Sequence, residues 1–264
     1  MMQSAQEFAD QTALVTGAGS GIGRGAALKL AAGGAFVGLL GRTEDELQDT
    51  LAEIESAGGR GMILVADVSD DAGMKRAVET LTAVNGALHM VVANAGINGT
   101  WAPIDDLTPE EFDKTIAINL RGTYLTLHHS VKPMKQTGGA IVVVSSINGT
   151  RTFTTPGATA YSATKAAQLA MVQQLSLELG RHGIRINAVC PGAIDTSIND
   201  NTTMRGRDET EVPVEFPEGD IPLTGGESGT IEEVAEVISF LLSPASRHVT
   251  GSPIWVDGGQ SLLR

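Results

Sequence analysis

The stretch Thr16-Gly-Ala-Gly-Ser-Gly-Ile-Gly23 lies between a short apolar run, Thr12–Thr16, and a helical segment, Gly21–Ala32, that Gly33 and Gly34 bring to an end. Glycines at such a junction let the backbone turn tightly and approach a pyrophosphate closely. The helix that follows offers that anion free N–H groups and a partial positive charge. A glycine cluster by itself also suits a bare turn. Its place after a strand and before a helix, near the start of the chain, points instead to dinucleotide binding. Gly17, Gly21 and Gly23 are spaced G-x-x-x-G-x-G, wider than the common G-x-G-x-x-G.

Working outward from this loop, apolar runs of strand length alternate with longer helical segments. Strands are expected at Phe36–Leu40, Met62–Ala66, Leu88–Ala93, Ala140–Ser145, Ile184–Val189 and Ile254–Val256. Helices are expected at Glu44–Ala57, Asp70–Val84, Thr108–Lys135, Thr159–Arg181 and Thr230–Leu242, with Thr108 and Glu111 spaced as a capping box. Strands this apolar are buried on both faces, as in a parallel sheet covered by helices. The alternation runs through the whole chain, so residues 1–264 read as one doubly wound α/β domain. One segment breaks the rhythm: Ser197–Gly229 is polar, acidic and rich in Gly and Pro, and it reads as a lid over the substrate.

The totals narrow the class further. The formal net charge of −13 disfavours nucleic acid and anionic membranes as partners, since both need a positive field. Cys190 is the only cysteine, so no internal disulfide can form. No run of about 18 apolar residues occurs, and the first residues are polar and acidic, so neither a membrane span nor a signal peptide is read and the cytoplasm is the default compartment. The five histidines show no metal-ligand spacing; His128 and His129 are adjacent and so face different sides of a helix. No metal is expected.

With Asn94-Ala-Gly96, Asn119-Leu-Arg-Gly122, Tyr161-Ser-Ala-Thr-Lys165, Pro191-Gly192 and Asp257-Gly-Gly259 each at the expected element, the chain resembles the short-chain dehydrogenase/reductase family over nearly its full length. The resemblance implies a Rossmann-type fold whose seven-stranded parallel sheet has the order 3-2-1-4-5-6-7, helices on both faces, and a homotetramer. It also implies cofactor contacts from Gly17, Ser20, Gly21, Ile22 and Gly23 in the first loop, and from Arg42, Asp67 and Val68 beyond the next two strands. Asn94, Ala95 and Gly96 follow the fourth strand, Pro191, Gly192, Ile194 and Thr196 the sixth, and Tyr161 and Lys165 complete the set.

Tyr161 and Lys165 are four apart on a helix, which places both side chains on one face. Hydride transfer to a carbonyl leaves a developing alkoxide that needs a proton. Bringing a Tyr from its ordinary pKa of about 10 to near 7 takes roughly 4 kcal/mol. An ammonium at about 4 Å supplies a similar amount at an effective dielectric near 20. Tyr161 is therefore the expected acid/base and Lys165 the group that lowers its pKa. Ser145 and Ser146 close the fifth strand, at the sheet edge where ligands bind. The family pattern S-S-x-x-G selects Ser146, with Gly149 in place, and implies that Asn119 supports a proton relay. Fourteen residues separate Ser146 from Tyr161, two more than the family usually has, and the extra pair falls within Thr150–Thr159.

The end of the second strand bears on the cofactor. An NAD enzyme usually has an acid there for the ribose 2′-hydroxyl. Here Gly41 leaves room and Arg42 offers a charged fork suited to a 2′-phosphate, so NADP is preferred, with NAD an alternative. The reading is thus an NAD(P)-dependent oxidoreductase for a small ketone, secondary alcohol, polyol or sugar. A 3-oxoacyl-thioester reductase acting on an acyl carrier protein and a non-catalytic dinucleotide sensor stay open.

Overall fold

The computed structural model describes residues 7–196, 198, 202–217 and 219–263. The strands are β1 (Thr12–Thr16), β2 (Phe36–Gly41), β3 (Arg60–Val65), β4 (Met90–Ala93), β5 (Gly99–Trp101), β6 (Gly139–Val144), β7 (Ile184–Pro191), β8 (Thr202–Met204) and β9 (Pro253–Val256). Among the described residues seven of them form one parallel sheet in the order β3-β2-β1-β4-β6-β7-β9. Counted along this sheet alone, that is the order expected from the resemblance. The chain reverses direction across the sheet between β1 and β4, which opens a crevice at their carboxyl ends.

The helices are α1 (Gly21–Ala32), α2 (Glu44–Ser56), α3 (Asp71–Asn85), α4 (Pro109–Thr115), α5 (Gly122–Met134), α6 (Thr159–Gly180), α7 (Arg207–Thr210) and α8 (Ile231–Leu242). Successive strand side chains point to opposite faces, and β1 shows the result. Ala13 and Val15 join a core with Leu30 of α1 and Ile238 of α8, whereas Leu14 joins a second core with Leu81 of α3 and Val172 of α6. A strand buried on both sides has no room for polar alternation, which is why its sequence is a continuous apolar run.

The expected elements are present, with ends shifted by one or two residues. Two departures matter for the site. The long helix expected at Thr108–Lys135 begins with the predicted capping box but passes through a π-helical turn at Ile116–Arg121 between α4 and α5. The expected covering segment contributes β8 and the short α7, and β8 pairs in parallel with β5 as a separate two-stranded sheet. Neither three-residue strand is long enough to show a period in the sequence. Residues 197, 199–201 and 218 of that segment lie outside the described residues.

Candidate active site

The glycine loop runs from β1 into α1. Gly17 has φ +66, and a Cβ there would lie 2.9 Å from the Asn94 amide nitrogen. A Cβ on Gly23 would lie 2.1 Å from the Gly17 carbonyl oxygen, closer than any side chain permits. Asn94 fixes this loop: its Nδ2 donates to the Thr16 carbonyl at 3.0 Å, while Asn94 N and Ala95 N donate to Thr16 Oγ1. Ser20 is the N-cap of α1 in extended conformation, and its side chain makes no capping bond. The first N–H groups of α1 are thus uncapped by the loop's own side chains, as a bound pyrophosphate requires.

Two adjoining cavities share Gly17, Ser20, Ala95 and Gly96 and together form one cleft along the carboxyl ends of the strands. On one side lie Gly41, Arg42, Asp67, Val68 and Ile118. Asp67 Oδ1 accepts from Ser69 N at 2.8 Å and from Ser69 Oγ at 2.6 Å. Burial by itself would raise the Asp67 carboxyl; the Ser69 bonds, with Arg42 nearby, outweigh it and hold the carboxyl below its ordinary range. Arg42 is mostly exposed, with a loose ion pair of 3.9 Å to Asp67. Glu46, in the first turn of α2, also faces this cavity, and sequence reasoning missed it: a Cβ on Gly19 would be 2.9 Å from its Oε2.

On the other side lie Ser145, Ser146, Tyr161 and Lys165, with Ile22, Pro191, Gly192, Ile194 and Thr196 around them. The proposed triad is therefore brought together from β6 and α6, beside the glycine loop. Lys165 is buried and tied to the end of β6 twice. Its Nζ donates to the Val144 carbonyl at 2.9 Å, and its own carbonyl accepts from Ser145 Oγ at 2.9 Å. Ser146 Oγ accepts from Asn148 N at 3.0 Å. The two serines are thus already distinct: Ser145 is spent on the helix backbone, and Ser146 stands beside the Tyr161 phenol.

Burial pushes the Tyr161 phenol up, and the Ser146 hydroxyl only partly offsets this. Burial lowers Lys165 to about 8. Lys165 is expected from the sequence to lower the Tyr161 pKa; here its Nζ is 5.4 Å from the ring centroid and hydrogen-bonded to a carbonyl, and desolvation dominates the phenol. Asn119 sits in the π-turn and is fully buried. Its Oδ1 accepts from Ile97 N at 2.8 Å, its Nδ2 donates to Ile97 O at 2.8 Å, and its carbonyl accepts from Gln168 Nε2 and Thr123 Oγ1. These bonds satisfy the groups that a π-turn frees from the regular helix ladder.

Further residues were not legible in advance. Gln260 Oε1 accepts from Ala193 N at 2.8 Å and holds the Pro191-Gly192 turn against the C-terminal segment. The loop carrying the two extra residues crosses to β5, where Ala102 N donates to Gly157 O at 3.2 Å. Trp101 of β5 stands with its ring centroid 6.3 Å from that of Tyr161. Its only signal was rarity, as one of two tryptophans. Cys190 is a buried thiol pushed up to about 11 by burial, as suits a small core residue. Among the described residues no three His, Cys, Asp or Glu side chains gather as a metal site, and no helix is long and apolar enough to cross a membrane.

The family described as Enoyl-(Acyl carrier protein) reductase matches residues 17–261. Levodione reductase from Leifsonia aquatica is 36% identical over 258 residues, 96% of this chain and 95% of its own length. A crystal structure of a 3-ketoacyl-ACP reductase from Sinorhizobium meliloti 1021 is 63% identical, with a TM-score of 0.92, covering 96% of this chain and 100% of that chain. A 3-ketoacyl-(acyl-carrier-protein) reductase from Brucella melitensis, complexed with NADH, is 30% identical with a TM-score of 0.84, covering 96% and 99%. The chain belongs to the short-chain dehydrogenase/reductase family. It is an NAD(P)-dependent oxidoreductase that interconverts carbonyl and CH–OH groups.

Proposed function

We propose that the protein reduces a small free ketone, or oxidises the matching secondary alcohol, with Tyr161 as acid/base and NADP(H) as the preferred cofactor. The observation that carries this reading is the meeting of Ser146, Tyr161 and Lys165 in one cleft with the uncapped start of α1. The cofactor residues fit the group: a loop that tolerates no Cβ at Gly23, and N–H groups free for its pyrophosphate. When bound, the nicotinamide gives or takes the hydride. Tyr161 gives the substrate oxygen its proton, or removes it in the other direction. Ser146 donates to the same oxygen and steadies its developing charge. Lys165 holds the cofactor ribose and lowers the phenol's pKa once the oxidised cofactor's positive charge adds to its own. Asn119, in the π-turn packed against α6, supports the proton relay.

Arg42 supports NADP(H): its guanidinium is free enough to meet a 2′-phosphate beside the gap at Gly41. Glu46 faces the same cavity and works against that anion. The segment 197–229 serves as the substrate lid of a single-domain chain, in a cytoplasmic homotetramer. Its α5–α6 side still exposes Tyr124 and Leu177 for packing. A second reading is reduction of a carrier-bound 3-oxoacyl thioester, and the likeness to the Sinorhizobium 3-ketoacyl-ACP reductase favours it. A net charge of −13 opposes docking of an acidic carrier.

The test is Tyr161→Phe with both cofactors. It is expected to bind cofactor nearly as the wild type does and to lose at least about 100-fold in turnover. Near-normal turnover would sink the assignment. The ratio of kcat/KM for NADPH over NADH should exceed one, fall in Arg42→Ala and rise in Glu46→Gln. A wild-type preference for NADH would overturn the cofactor choice.

A further inference from the structure

The β5–β8 pair stands beside Tyr161 through Trp101, and its two faces differ. Trp101 and Met204 are partners in register, and in a parallel pair such partners stand on the same face. The Trp101 ring is 6.3 Å from Tyr161 and tilted by 55° to it, so this face looks onto the proton donor. Thr100, on the opposite face, is buried and bonds the Glu111 carboxylate of α4.

What this wall offers a ligand is restricted. Trp101 Nε1 already donates to the Asn98 carbonyl at 3.1 Å, so the indole presents its ring and no donor. Met204, 44% exposed, adds a flexible thioether. The nearby cation is also spent. Arg205 Nε donates to the Asp106 carboxylate at 2.8 Å, its Nη1 and Nη2 donate to the two Glu111 oxygens at 2.7 and 2.9 Å, and Nη2 also donates to the Asp106 carbonyl. Arg207 is paired with Glu211. A carboxylate or phosphate on the substrate would find no free guanidinium on these two residues. A polyol laid against Trp101 and Met204 would lose water from its hydroxyls without gaining partners.

We infer that the site takes a carbonyl, or the matching secondary alcohol, carried on an apolar, uncharged ring, with Trp101 and Met204 as the wall that selects it. The inference rests on Tyr161 as the acid/base that fixes where the reacting oxygen lies. The indole beside Tyr161 and the thioether next to it on the same face make one continuous apolar wall, against which such a ring packs by aromatic and thioether contact.

The experiment compares cyclohexanone, dihydroxyacetone and an acetoacetyl thioester of N-acetylcysteamine. It uses wild type, Trp101→Ala, Trp101→Phe and Met204→Glu, and adds calorimetric binding of cyclohexanol to the Tyr161→Phe enzyme loaded with oxidised cofactor. Wild type should favour cyclohexanone in kcat/KM. Trp101→Ala should raise the cyclohexanone KM by about tenfold, the size expected for a lost aromatic contact plus its buried area. The other two substrates and the cofactor Kd should move little, and Trp101→Phe should recover most of the loss. Met204→Glu, at a half-exposed position, should raise the same KM and keeps the question answerable if Trp101→Ala does not fold. A wild-type preference for dihydroxyacetone or the thioester, or an equal loss on all three substrates in both Trp101→Ala and Met204→Glu, would overturn the inference. If no ketone reacts while cyclohexanol still binds, the catalytic reading falls and the wall stands; if cyclohexanol does not bind, the wall falls.

Discussion

Along the glycine loop, a Cβ added at Gly23 would lie 2.1 Å from a main-chain carbonyl, whereas the short backbone ladder of the β5–β8 pair is braced against its surroundings by side chains: Asn98 on Thr202, and Arg205 on Asp106 and Glu111. The first surface is made by backbone, and its demands are absolute because nothing larger than hydrogen fits. The second is made by side chains, and other residues could brace the same short strands in other ways. The cofactor side is therefore strict and nearly independent of the substrate. On the proposed substrate side the bracing can change without touching the glycine loop, and we place specificity there.

Four substitutions would break or sharpen this contrast. Gly23→Ala should have the largest effect, since its methyl meets the Gly17 carbonyl and cannot be accommodated by a side-chain rotation. Cofactor affinity should fall by at least about 100-fold, equivalent to about 3 kcal/mol, as read by nucleotide fluorescence titration; an affinity within a few-fold of wild type would show that the loop is not backbone-limited. Next comes the pair of serines. Ser146→Ala should cost about 100-fold in kcat, with Ser145→Ala costing less, because Ser145 Oγ is engaged with the Lys165 carbonyl. The reverse order in steady-state kinetics would exchange their roles. Arg205→Ala should have the smallest effect: a rise of a few-fold in substrate KM with cofactor Kd unchanged, as β8 loses its ties to Asp106 and Glu111. A matching loss of cofactor affinity would mean that the two sides are not separable.

The same contrast explains what could be read from the sequence. The main sheet was legible because strands buried on two faces leave continuous apolar runs, as in Thr12–Thr16 and Ala140–Val144. The glycine loop, Tyr161 and Lys165 were legible because fixed spacings carry their geometry. Trp101 was not, because a three-residue strand shows no period and its partner Met204 lies 103 residues further along the chain (204 − 101). Glu46 was hidden for a different reason. Acids at a helix start are explained by the dipole alone, so nothing in Glu44-Asp45-Glu46 singles out the residue that also faces the cleft. The π-turn at Asn119 was invisible to helical periodicity, since one extra residue per turn is a local matter of hydrogen bonding.

Glu111 joins these two sides in a single carboxylate. It closes the capping box at Thr108, at the head of the helix that leads to Asn119, and it grips Arg205, the residue that follows β8 of the proposed substrate wall. It acts as a clasp between a helix whose far end reaches the catalytic residues and a wall that can be redesigned. Arg205 first, and the Thr108 N–H after it, hold its carboxyl down to about 2. A depressed carboxyl keeps its contribution at every pH above its ordinary range and loses it only as pH falls toward that value. The clasp thus keeps its full contribution above the ordinary carboxylate range, and the wall can vary in shape while its anchor point stays put.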